Sequence, residues 1–95
     1  MLTTSRYPSR ETREGAKRLA ASLGTGYHAR GRKTIGELAG LARRTGEREI
    51  LVVEERAGRP FLVALIEVNS AGGWRWAGKA GFDGYAGKRE HRGRV

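Results

Sequence analysis

Ninety-five residues hold one small domain at most, with a modest core and little stability to spare. Lysine and arginine number 19 against 10 acidic residues, a formal charge of +9 with a pI near 11.1. The surface therefore carries a strong positive field, and polyanions are the expected partners. No apolar run approaches the roughly 20 residues of a spanning helix, and no apolar core follows the first basic residues as in a signal peptide. With no cysteine there is no disulfide, thiolate zinc site or thiol nucleophile. His28 and His91 stand far apart without carboxylates at ligand spacing, which argues against a metal. The expectation is a cytoplasmic protein with no membrane contact and no cofactor.

In chain order, Leu2 to Ser5 reads as a short strand, with β-branched Thr3 and Thr4 and a stop imposed by Pro8. Ser9 is a good N-cap, and Glu11 sits in the first turn where the helix dipole favours an anion. Ala16, Leu19, Ala20 and Leu23 then repeat at the spacing of one buried stripe, and Gly24 follows as a C-terminal stop. A first helix over Arg10 to Leu23 is predicted, with Arg10, Arg13 and Lys17 on another face and Glu14 able to pair with Arg18.

The segment "GTGYHARGRK" has no helical period. Tyr27 to Ala29 can form a brief strand before the basic cluster Arg30, Arg32 and Lys33. Thr34-Ile35-Gly36-Glu37 is a capping box. Ile35, Leu38, Ala39 and Ala42 form the buried stripe of a second helix, closed by Arg43, Arg44 and Gly46.

"EILVVEE" has the continuous apolar character of a strand buried on both faces, and "FLVALIEV" is a second such run. The turn residues "RAGRP" between them predict an antiparallel pair. "WRWAG" can add an edge strand with Trp74 and Trp76 on one face and Arg75 on the other. From Gly78 to Val95 the chain is rich in Gly, Lys and Arg, with Phe82 and Tyr85 isolated. It reads as a flexible basic tail behind a folded body of residues 1–77.

The predicted architecture is α/β (α+β): a small mixed β-sheet with two helices. Right-handed crossovers place both helices on one face if they move across the sheet in the same direction. The loops before the two helices would then share an edge.

No Ser-His-Asp arrangement, metalloprotease motif, phosphate-binding P-loop or carboxylate dyad is present, so nothing marks the chain as an enzyme. Glu54 and Glu55 are adjacent on a strand, point to opposite faces, and read as solubilising charges. The stretch "TTSRYPSRETR" has two readings. In one, Thr4, Ser5 and Ser9 satisfy backbone groups and the arginines are solvated. In the other, helix amides, hydroxyls and Arg6, Arg10 and Arg13 converge on a phosphate, since a cation in the first turn opposes the dipole unless an anion lies near. The second basic loop, Arg30 to Lys33, repeats the choice between a shared anion-binding rim and a solvated charge run. Trp74, Trp76, Phe82 and Tyr85 interleave with Arg75, Lys79 and Lys88, a composition suited to base stacking, although tryptophans also serve core and edge packing.

Thr3-Thr4-Ser5-Arg6, Pro8-Ser9 and Thr12-Arg13 resemble the opening motif of the Brix-domain proteins, ribosome-biogenesis factors of archaea and eukaryotes. Arg30-Gly31 before the helix "TIGELAGLARRTG", the following hydrophobic strand, and Gly58-Arg59-Pro60 are similar in order and spacing to that family's later landmarks. The resemblance covers about residues 2 to 68. It implies one half of a Brix domain, similar to an anticodon-binding domain, in an archaeal single-half version, with a role in binding ribosomal RNA during subunit assembly. By matching position it implies Ser5, Arg6, Ser9 and Arg13 as RNA-facing, with Arg30 and Arg32. The basic stretches extend the candidate RNA-binding set to Arg10, Lys17, Lys33, Lys88 and Arg89. The expected partners are ribosomal RNA or a pre-ribosomal particle, with its ribosomal proteins or assembly factors. Two alternatives stand beside a biogenesis factor: a resident ribosomal protein of the mature subunit, and a protein-interaction adaptor pairing a partner strand with the edge of the two apolar strands.

Overall fold

A computed structural model describes residues 1–84. The elements are β1 (Leu2–Thr4), α1 (Arg10–Leu23), α2 (Ile35–Arg44), β2 (Glu49–Arg56), β3 (Arg59–Val68) and β4 (Trp74–Gly81). They form one four-stranded mixed sheet in the order β1-β2-β3-β4, with β1 parallel to β2 and the other pairs antiparallel. A single parallel bridge, Leu2 to Tyr27, adds the brief strand expected near residues 27 to 29 on the free side of β1.

The helices form where local chemistry starts and stops them. Ser9 caps α1 by accepting the Thr12 amide, and Gly24 ends it in the left-handed conformation at φ 70°. Thr34 and Glu37 form the reciprocal capping box of α2. At Gly15, α1 comes close to the sheet. A Cβ there would stand 3.0 Å from Pro60 Cγ and 3.4 Å from Phe82 Cζ, so packing overrides glycine's poor helix propensity.

The two helices lie on opposite faces of the sheet, not on one face as predicted. Leu38, Ala39 and Ala42 of α2 pack with Met1, Ile50, Val52, Ile66 and Val68. Ala16, Leu19 and Ala20 of α1 pack with Leu2, Val53 and Val63, and with the partly buried Leu51 and Phe82. Residues 50 and 52 of β2 thus serve one helix while 51 and 53 serve the other, as strand alternation requires. The cause is the direction of travel. From β1 the chain passes through α1 outward to Tyr27, then returns through α2 across β1 to reach β2. Two right-handed crossovers running in opposite directions must put their helices on opposite faces.

The end of the folded body also lies later than predicted. β4 pairs with β3 through Ala80 and Gly81, beyond Ala77, and Phe82 packs against the α1 side of the core instead of standing isolated. Strand pairing and apolar burial both outweigh the glycine-rich composition that suggested a tail. Residues 85–95, which include Tyr85, Lys88 and Arg89, lie outside the described residues.

Candidate nucleic-acid interface

At β1 and its Tyr27 neighbour, two adjacent parallel segments send their chains to opposite faces, so a crevice opens beyond their carboxyl ends. In open α/β sheets such a switch point is where ligands bind. Both basic loops emerge here. They share an edge as expected, but because parallel strands end together and not because the helices share a face.

The crevice is stitched by polar contacts. The Leu2 amide donates to Gly26 O at 2.9 Å and the His28 amide to Leu2 O at 2.8 Å. Thr3 Oγ1 donates to His28 O at 2.7 Å. Arg30 spans the gap: its Nη1 donates to Thr4 O at 2.9 Å and its Nε to Lys33 O at 2.8 Å. Arg30 is only 6% exposed, although the sequence reading placed it on the RNA-facing surface. It is first a brace between β1 and the entry to α2. Burial, and then the neighbouring charge of Arg6, lower its pKa from the ordinary arginine value. Among the described residues no carboxylate forms an ion pair with either Arg30 or Arg6.

Ser9 is also committed to the fold. Its hydroxyl accepts from the Thr12 amide at 3.1 Å and donates to Gly58 O at 2.6 Å, while its own amide donates to Glu55 Oε1 at 2.8 Å. The Ser9 amide, followed by the Thr12 hydroxyl, holds the Glu55 carboxyl below the usual carboxylate range. Glu55 therefore supplies the anion at the start of α1. It is not the solubilising charge predicted, and this N-terminus needs no phosphate. Glu54, on the opposite face as expected, lies 3.9 Å from Lys79 Nζ. Thr4, expected to satisfy a backbone group, has a buried hydroxyl without a partner among the described residues.

The remaining predicted residues divide by location. Ser5 is half-buried and Arg6 exposed, and both line an open notch of about 430 Å³ with Arg30, Ile35, Trp76 and Lys79. Arg10, Arg13 and Lys17 are exposed along α1, on the other side of the sheet. Arg10 pairs with Glu14 at 3.1 Å, so Glu14 takes a partner on the side opposite to the Arg18 expected. Arg13 Nη1 reaches Pro8 O at 3.4 Å, and Lys17 Nζ sits 5.7 Å from the centre of the Tyr27 ring. Arg32 and Lys33 are exposed at the entry to α2.

Sequence reasoning left Tyr7 out of the site and raised Trp76 and Lys79 only as part of a composition suited to base stacking. Trp76 and Lys79 line the notch from β4, and Tyr7, 78% exposed, sits at the tip of the first loop with φ 56°. The "WRW" alternation did place both tryptophans on one face, and they meet edge-on at 6.0 Å. It gave no sign that this part of the face is left open. A non-glycine residue held at positive φ has no local sequence signature.

Comparison with known proteins gives the arrangement its context. No family model matches the chain. Over 67 residues it is 39% identical to a probable Brix domain-containing ribosomal biogenesis protein of Archaeoglobus fulgidus, covering 70% of this chain and 40% of that protein. The chain is a relative of the Brix-domain ribosomal biogenesis proteins. Solved structures agree. The crystal structure of Mil, an archaeal Imp4-like protein, superposes with a TM-score of 0.65 at 35% identity, over 78% of this chain and 46% of that one. A probable ribosomal biogenesis protein from Aeropyrum pernix gives a TM-score of 0.77 at 33% identity, over 82% and 44% respectively. This Brix-related chain thus spans less than half the length of the relatives it matches, and its mixed sheet and helices are consistent with an Imp4-like half domain.

Among the described residues no group of His, Asp or Glu is placed to hold a metal ion, and no helix is long and apolar enough to cross a membrane.

Proposed function

We propose that the chain binds ribosomal RNA non-catalytically in the cytoplasm during subunit assembly, with phosphates taken at the carboxyl edge of the parallel strands. The observation that carries this reading is the pair Arg6 and Arg30, two guanidinium groups that line one notch, neither in an ion pair among the described residues, with Glu37 the carboxylate whose charge Arg6 feels. Charge in that state favours an external anion, and a phosphate oxygen offers the geometry a guanidinium fork accepts. Arg32 and Lys33 at the second loop, and Arg10, Arg13 and Lys17 on α1, extend a positive field that draws a polyanion toward the edge. The biogenesis relatives support a pre-ribosomal particle as the setting.

The test is affinity for ribosomal RNA fragments across a salt series. Binding falls steeply with salt, and Arg6→Ala reduces the log–log slope by about one, the signature of one lost phosphate contact. A slope near zero for the unmodified chain would refute the proposal. Sedimentation then separates a biogenesis factor, found only on precursor particles, from a resident ribosomal protein that stays with mature subunits through salt washes.

A further inference from the structure

We infer that the notch between α2 and β4 seats an unpaired nucleotide of RNA, its base stacked on Trp76 and its phosphate on Arg6, in the field of the buried Arg30. This rests on the RNA-binding reading above and narrows it from RNA in general to single-stranded segments.

The argument begins with Trp76. Tryptophan is costly to leave in water, yet Trp76 is 49% exposed, and it faces the α2 side of the sheet because it pairs with Ile66. Trp74 sets its orientation, meeting it at 89° with ring centroids 6.0 Å apart. A ring pre-oriented in this way loses little freedom on stacking against a ligand. It lines the same notch as Ser5, Arg6, Arg30 and Lys79. Glu54 lines it too, but its carboxylate lies 3.9 Å from Lys79 Nζ, and three cations against one anion leave the notch positive. At about 430 Å³ the open notch has room for a nucleotide-sized ligand lying against its wall.

An aromatic platform beside a guanidinium group outside any ion pair is the combination that recognises a single strand, where each base stacked contributes about 1–3 kcal/mol whatever its identity. A duplex keeps its base faces inside its own stack and presents only phosphates and groove edges. Phosphate contacts alone would serve both forms. The tryptophan adds something only to the unpaired one.

The test uses the full chain carrying Trp74→Phe, which leaves Trp76 as the one tryptophan. Its fluorescence is followed during titration with a single-stranded oligouridylate of about ten nucleotides, and separately with the same strand paired to oligoadenylate. The single strand quenches Trp76 and the duplex does not. In the otherwise unaltered chain, Trp76→Leu weakens single-strand binding about tenfold and leaves duplex affinity unchanged, Trp76→Phe retains most of the affinity, and Arg6→Ala weakens both. If both forms bind alike without quenching and Trp76→Leu changes neither, the stacking site is wrong while the RNA-binding reading stands. If neither form binds at low salt, both fall. The quenching arm leaves Trp76 in place, so the result does not depend on how well Trp76→Leu folds.

Discussion

The loops that enter the two helices look alike in sequence, each pairing basic residues with a hydroxyl N-cap, but they are built in opposite ways. At α2 the cap is local: Thr34 and Glu37 satisfy each other's amides at 2.9 and 3.1 Å across three residues. At α1 the cap is long-range, because the Ser9 amide is satisfied by Glu55, 46 positions away on β2, and the Ser9 hydroxyl by Gly58 in the β2–β3 turn. The arginines divide the other way. Arg30 of the second loop is buried as a brace, whereas Arg6 of the first is exposed and without a hydrogen bond among the described residues. An arginine becomes structural when surrounding carbonyls take up its donors, and it stays available when none lie within reach.

The sharpest way to break this contrast is to remove each arginine in turn. Arg30→Ala leaves the carbonyls of Thr4 and Lys33 without their charged donor and is expected to cost about 3 kcal/mol in urea denaturation. Arg6→Ala is expected to stay within about 0.5 kcal/mol of the unmodified chain. Equal costs would erase the distinction.

Next in size is the long-range cap. Ser9→Ala removes the hydroxyl that both caps α1 and reaches Gly58, at a cost of about 1–2 kcal/mol. Glu55 gives the cap a pH signature. A carboxyl held below its unfolded value, about 4.3 for glutamate, contributes stability that is fully present above that pH and is lost as pH falls through the folded value. Glu37 and Glu47 are lowered as well, the first mainly by the Thr34 amide and the second mainly by the α-amino group of Met1. The urea midpoint is therefore expected to be flat in these groups near neutrality and to fall below about pH 4.3. Glu55→Gln should lower the plateau and make the acid fall shallower. An unchanged acid limb would remove Glu55 from the cap.

The smallest expected effect is at Tyr7. Its positive φ costs about 1–2 kcal/mol, which glycine would relieve. Glycine's extra unfolded-state freedom returns about 0.5–1 kcal/mol of that, so Tyr7→Gly changes the melting temperature little. A strained, exposed aromatic beside Arg6 reads as a group kept for contact, and loss of RNA affinity in Tyr7→Gly at unchanged stability would mark it so.

Much of the fold was legible because its signals are local. The bounds of α1, the capping box of α2, the antiparallel pair around Ala57 and Gly58 and the shared face of Trp74 and Trp76 follow from neighbours within a few positions. So did the loop carrying Ser5 and Arg6, since a helix entry rich in arginine is visible in any window that contains it. The misplaced end of the folded body has a plain physical origin. Composition cannot say that Gly78 to Gly81 will find a partner in β3, because a strand's hydrogen bonds belong to the pair.

The charge, most of the element bounds and the kinship with Brix-domain proteins are written in residue identity and short spacing. The face that each helix covers, the service of Arg30 and Ser9 to the fold, and the exposure of Trp76 on the notch shared with Arg6 arise in three dimensions. Those outcomes depend on the direction in which the chain crosses the sheet, and no short window of sequence records it.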